Sequence, residues 1–192
     1  MAEVLLFHHA HGLTPGMVAF ADTLRAAGHT VHAPDLFEGR TFDDLEGGVG
    51  YAREVGFDAM IGRGMTAAEG LPPGLAYIGY SLGVMPAQAL AQTRPGATGA
   101  VLIASCVPPA EFGTDWPDGV PVQVHGSEGD ALFADEGDLD AARALVAEVK
   151  DGELFLYPGE AHVFADTSLP TYDPAAAALL TERVLAFLDR TA

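Results

Sequence analysis

Six short apolar runs punctuate the chain, at residues 4–7, 30–33, 75–78, 99–105, 120–125 and 153–157. Runs this short and this continuous suit strands covered on both faces, because a strand with one wet face alternates instead. Between them lie segments with helical spacing. Pro15 opens one, with Met17, Phe20, Ala21 and Leu24 on one face and Gly28 as its stop. Others are expected over 50–69, 84–93, 139–149 and 174–188, and the polar stretch 35–48 reads as an exposed loop. Strands that alternate with helices argue for an α/β fold: a mostly parallel sheet of about six strands with helices on both faces. No linker, repeat or low-complexity tract interrupts residues 1–192, so one domain is expected.

Charge narrows the possible partners. The chain carries 27 acidic and 9 basic side chains, a net charge of −18. Such a surface repels phosphate backbones and anionic lipid, which argues against nucleic-acid and membrane partners. Hydrophobic residues make up 49% of the sequence, enough for a packed core despite the charge. No apolar stretch approaches the roughly 18 residues a spanning helix needs. The first residues carry neither a basic run nor a long apolar one, so a soluble, cytoplasmic protein is expected. A single cysteine, Cys106, excludes an internal disulfide.

The chemistry concentrates in Gly79-Tyr80-Ser81-Leu82-Gly83, between the third apolar run and the helix that follows. This is the G-x-S-x-G pattern of a nucleophile elbow. Ser81 must occupy a strained turn to lift its hydroxyl above the sheet, and only small flanking residues fit the crowded backbones around it. The Leu82 N–H then points into the same space and can stabilise an oxyanion. With four serines and 23 glycines in the chain, chance supplies roughly 0.06 such matches.

A serine hydroxyl needs a base and an orienting acid. Elbows of this kind take their acid and then their histidine from farther along the chain. Only His125 and His162 follow Ser81. His162 lies in a glycine-containing loop directly after the sixth run, where a strand-end base belongs; His125 closes the fifth run and reads as a partly buried strand-end residue. The loop after the fifth run offers Glu128 and Asp130. Asp130 is favoured, because it lies deeper in the loop and Gly129 permits a turn before it.

With these residues the chain resembles the dienelactone hydrolase family of the α/β-hydrolase superfold. The resemblance spans nearly the whole length: the opening strand and its Gly12 turn, Pro34-Asp35-Leu36-Phe37, the Ser81 elbow, the Asp130 loop, and Glu160-Ala161-His162-Val163-Phe164. It implies an α/β-hydrolase-like sheet, an ester- or lactone-cleaving enzyme, and a second oxyanion donor in the Ala10 N–H. The namesake enzymes carry cysteine where this chain has Ser81. Their thiol-holding glutamate corresponds to His9. One of their carboxylate-binding arginines corresponds to Asp166, which is expected to repel a carboxylate-bearing substrate.

The cluster His8-His9-Ala10-His11 invites a metal reading. A closed zinc site needs about four converging donors, and adjacent strand residues point to opposite faces. No metal site is expected. His9 or His11 is instead expected to line the pocket beside Ser81. Phe112, Trp116 and Phe164 are candidates for the wall of the acyl pocket, with ordinary core as the alternative. Cys106 reads as a small apolar filler, and Asp43-Asp44-Glu46 as a solvated loop.

These readings converge on a serine hydrolase acting on a small neutral ester, thioester or lactone, with Ser81, His162 and Asp130 as its catalytic residues. No metal or organic cofactor is required. A non-catalytic binding protein of the same fold and an acyltransferase using the same residues are the alternatives. A monomer or homodimer is expected.

Overall fold

The computed structural model describes residues 1–192. Six strands form one sheet: β1 (Glu3–Phe7), β2 (Thr30–His32), β3 (Leu75–Tyr80), β4 (Gly99–Ile103), β5 (Val122–Ser127) and β6 (Gly152–Tyr157). Their spatial order is β2-β1-β3-β4-β5-β6, and every neighbouring pair is parallel. The order reverses between β1 and β3. The carboxyl ends of those two strands therefore diverge into a crevice, the place where open α/β sheets form their sites.

The period-two alternation of the strands divides the apolar side chains between two cores. Leu5, Phe7, Leu75, Tyr77, Leu102 and Val124 face one side. Helices α2 (Leu45–Val55), α3 (Phe57–Ala67), α4 (Val84–Thr93) and α6 (Asp138–Glu148) cover that side. Val4, Leu6, Ile78, Tyr80, Val101 and Ile103 face the other, beneath α1 (Pro15–Ala26) and α7 (Pro174–Thr191). The short α5 (Ala131–Asp135) follows β5. Buried strands with no wet face explain why the apolar runs do not alternate. No helix is long and apolar enough to cross a membrane.

Three local expectations change. The stretch 35–48 is not simply an exposed loop: Leu36 and Phe37 are fully buried. His8 fastens them, because its Nε2 accepts the Leu36 N–H at 2.9 Å while its Nδ1 donates to the His9 carbonyl at 2.8 Å. The helix expected over 50–69 is two helices that meet at Gly56, whose φ of 99° no helix accommodates. The first of them starts at Leu45, because Asp44 caps it by accepting the Gly47 N–H at 2.7 Å. The fifth strand continues past His125 to Ser127.

Candidate active site

Ser81 stands at the end of β3 with φ of 51°. This left-handed backbone costs a non-glycine residue about 1–3 kcal/mol. The flanking glycines make it possible. A Cβ on Gly79 would lie 2.4 Å from the Gly83 carbonyl oxygen, and one on Gly83 would lie 2.4 Å from that of Phe7. The elbow is thus wedged between α4 and β1, and no larger residue fits at either flank.

Two loops bring the other groups to Ser81. The turn after β5 and the turn after β6 are tied by backbone bonds from Glu128 N–H to Tyr157 O (2.8 Å) and from Gly129 N–H to Gly159 O (2.9 Å). Ser127 Oγ donates to Ala161 O at 2.7 Å. This splint fixes the position of His162. The His162 Nδ1–H donates to Asp130 Oδ2 at 2.6 Å, and His162 Nε2 lies 2.7 Å from Ser81 Oγ. Because a carboxylate only accepts, the proton sits on Nδ1, and Nε2 is left to accept from the serine hydroxyl. Asp130 is 2% exposed, and its second oxygen accepts the Leu132 N–H at 3.1 Å, capping α5. The carboxylate is therefore held from both sides. Glu128 is exposed and takes no part in this chain of bonds.

A cavity of about 420 Å³ opens over Ser81. Leu82, Ala10 and His162 border it, together with apolar side chains of α2 and α4 such as Leu45, Val49 and Met85. Leu82 is the second residue of a helical run, so its N–H has no acceptor within the helix. The Ala10 N–H also makes no bond within the protein. Arg53, Glu136 and Asp138 border the same space, giving it both signs of charge. Asp138 is already engaged: its Oδ2 accepts from Ser105 Oγ at 2.6 Å and from the Cys106 N–H at 3.2 Å.

The structure places other expected pocket residues elsewhere. His9 does not line the cavity; it is fully buried, donates from Nε2 to Asp166 Oδ2 at 2.8 Å and accepts the His11 N–H on Nδ1 at 3.3 Å. Burial lowers its pKa, against the opposing pull of Asp166. Phe164 is core, 2% exposed and packed on Tyr157. Trp116 packs against the core beneath α4 and α6 and donates to Val120 O at 2.7 Å; neither it nor Phe112 borders the cavity. His11 reaches a neighbouring cavity that also touches His162. No group of histidine, cysteine and acidic side chains is arranged to hold a metal ion.

Asp166 is also corrected. It is 1% exposed and accepts from His9, from Thr14 Oγ1, and from Ser168 through both N–H (2.8 Å) and Oγ (2.6 Å). Burial alone would raise its pKa, yet these bonds hold it well below the usual carboxylate range. It stays ionised inside a buried network rather than facing the cavity over Ser81, whose lining does not include it. His125 is buried in β5 rather than at its end, and burial lowers its pKa to about 3. Burial also pushes the Cys106 thiol up to about 12, consistent with an inert filler.

Among the lining residues not expected from the sequence, four come from α2 and its junction with α3: Leu45, Val49, Arg53 and Phe57. The signal was present in Asp44, a helix cap directly before Leu45, with Leu45 and Val49 one turn apart.

The parallel sheet, its flanking helices and the serine elbow at the β3 carboxyl end define an α/β hydrolase. The chain belongs to the dienelactone hydrolase family, whose profile matches residues 1–192. It is similar to a protein from Klebsiella pneumoniae subsp. pneumoniae named for dienelactone hydrolase, with a TM-score of 0.79 and 17% identity over 99% of this chain and 87% of that one. It is similar also to P91, a dienelactone hydrolase-like promiscuous phosphotriesterase from metagenomic libraries, with a TM-score of 0.77 and 20% identity over 100% of this chain and 87% of that one. TT1662 from Thermus thermophilus aligns with a TM-score of 0.65 and 17% identity, covering 99% and 88% of the two chains. At these identities the likeness carries the fold. The sequence finds no significant match among curated proteins.

Proposed function

We propose that the protein is a serine hydrolase cleaving a small neutral ester, thioester or lactone through Ser81, His162 and Asp130. The observation that carries this reading is the continuous hydrogen-bonded chain from Ser81 Oγ to His162 to Asp130, beside a cavity of about 420 Å³. Ser81 Oγ attacks the carbonyl carbon as its proton passes to His162 Nε2. Asp130 fixes the imidazole tautomer and stabilises the imidazolium that forms. The Leu82 and Ala10 N–H groups receive the developing oxyanion. His162 then protonates the leaving group, and water activated by the same nitrogen releases the acid. No step requires a metal or organic cofactor.

The ready alignment of nucleophile and base supports catalysis over simple ligand binding. Turnover of p-nitrophenyl acetate by the wild type, with loss in both Ser81→Ala and His162→Ala, is the expected result. A folded wild-type protein that leaves this ester and a panel of simple lactones intact overturns the proposal. Product analysis with added alcohol acceptors separates hydrolysis from acyl transfer.

A further inference from the structure

His162 borders two cavities, and only one of them touches Ser81. The second, of about 280 Å³, is lined by His11, Leu45, Val163 and Leu169, with Asp43 and Asp44 at its exposed rim. His11 is 7% exposed. Its Nδ1 lies 3.0 Å from the Phe42 carbonyl oxygen and must donate to it, so in the neutral ring Nε2 is the acceptor. That nitrogen has no partner within the protein. Every buried side-chain nitrogen and oxygen does have one, so Nε2 is at least partly exposed, on a residue that lines the cavity.

We infer that this second cavity is the leaving-group subsite and that it selects neutral or cationic alcohols against anionic ones. The inference rests on the reading of Ser81 as nucleophile and His162 as base. In that reaction the Ser81 Oγ–carbon bond forms, the carbon–oxygen bond to the alcohol breaks, and the proton taken from Ser81 moves from His162 Nε2 to the departing oxygen. The acyl carbon stays at Ser81, with its oxygen toward the Leu82 and Ala10 N–H groups of the first cavity. The departing oxygen is bonded to the same carbon as Ser81 Oγ and so lies beside both Ser81 and His162 Nε2. The body of the alcohol beyond it runs past His162 and Leu45, which border both cavities, into the second.

Its lining sets the chemistry. Leu45, Val163 and Leu169 suit a hydrocarbon body, and His11 Nε2 accepts a hydrogen bond from a hydroxyl or ammonium group. No lysine or arginine lines the space, so an anionic alcohol would meet Asp43 and Asp44 with no counter-charge.

The test uses acetates that differ only in the alcohol: methyl, benzyl and 4-carboxybenzyl acetate, each kcat/KM corrected for alkaline reactivity. Wild type is expected to prefer benzyl over 4-carboxybenzyl acetate by roughly tenfold or more. Leu169→Trp narrows the slot and should reduce the benzyl-to-methyl ratio by roughly tenfold. Equal turnover of the charged and neutral benzyl esters, or an unchanged ratio in Leu169→Trp, overturns the inference. Fluorophosphonate labelling of Ser81 is measured alongside. Labelled, active protein without this selectivity defeats the subsite alone, whereas absent labelling and turnover defeat the underlying hydrolase reading.

Discussion

Ser81 Oγ and His162 Nε2 are 2.7 Å apart, joining the strained turn after β3 to the loop after β6. Asp130 extends the chain of bonds from the turn after β5. All three side chains stand at strand carboxyl ends, so the parallel sheet itself assembles them. Asp130→Asn should preserve the fold yet remove the charge that holds His162 in its working tautomer. A fall in kcat of about 10⁴-fold is expected, as for the equivalent change in the serine-protease triad. Glu128→Gln, at an exposed neighbouring carboxylate, should stay within about twofold, a change too small to register as a transition-state effect.

Behind the turn that carries Ala10, His9 and Asp166 form a buried pair with further partners in His11 and Thr14. His9 accepts the His11 N–H and so shapes the turn that presents Ala10. Asp166→Asn weakens that grip, since its amide cannot accept from all of the present donors. A drop in kcat of about 10-fold or more, with KM little changed, is expected, because the displaced donor acts only in the transition state. Equal losses in both parameters, or none, would count against a positioning role.

The elbow glycines should be intolerant for a steric reason. In Gly83→Ala the new methyl would press on the Phe7 and His8 carbonyl oxygens at 2.4 and 2.7 Å. A loss of about 1–3 kcal/mol is expected, seen as a melting temperature lower by several degrees. Gly62→Ala is the control. That residue lies within α3 with nothing within 4 Å of its Cβ, and the change should be neutral or stabilising by up to about 1 kcal/mol.

Two histidines buried as neutral rings predict how stability follows pH. Burial lowers His8 from 6.5 to about 4 and His125 from 6.5 to about 3. The unfolded chain therefore binds more protons than the folded one below pH 6.5, and stability falls as the solution is acidified from 6.5 toward 4. Each fully differential histidine contributes a slope of about 1.4 kcal/mol per pH unit in that window. Urea denaturation at pH 7.5, 6 and 5 measures the slope. His125→Gln should make it shallower by close to one histidine's share, and an unchanged slope would show that His125 is not the titrating group.

Cys106 should be silent toward thiol reagents in the native state. The thiol is fully buried, and burial pushes its pKa up to about 12. Native protein should react with an aromatic disulfide far more slowly than denatured protein. Cys106→Ala should retain esterase activity at a stability cost of about 1 kcal/mol.

The sheet was legible because its strands are short, apolar and bounded by glycine or proline, and the elbow because sterics leave few alternatives at Gly79 and Gly83. Asp130 and His162 followed from chain order and position after a strand. The pocket walls were not legible. Phe164 and Trp116 are as apolar as any lining residue, and only tertiary packing decides that they face a core. Phe57 reaches the cavity from the start of α3, directly after the Gly56 turn, and helical spacing alone read straight through that glycine. The buried network of Asp166 was not legible either, because its partners His9 and Thr14 lie more than 150 residues away.

The most direct test is stoichiometric labelling with a fluorophosphonate probe, followed by peptide mass mapping. One adduct per chain on the peptide bearing Ser81, lost in Ser81→Ala and strongly slowed in His162→Ala, is the predicted result. Labelling at Ser105, Ser127 or Ser168 instead, or none on folded protein, would contradict the assignment of Ser81 as the activated nucleophile.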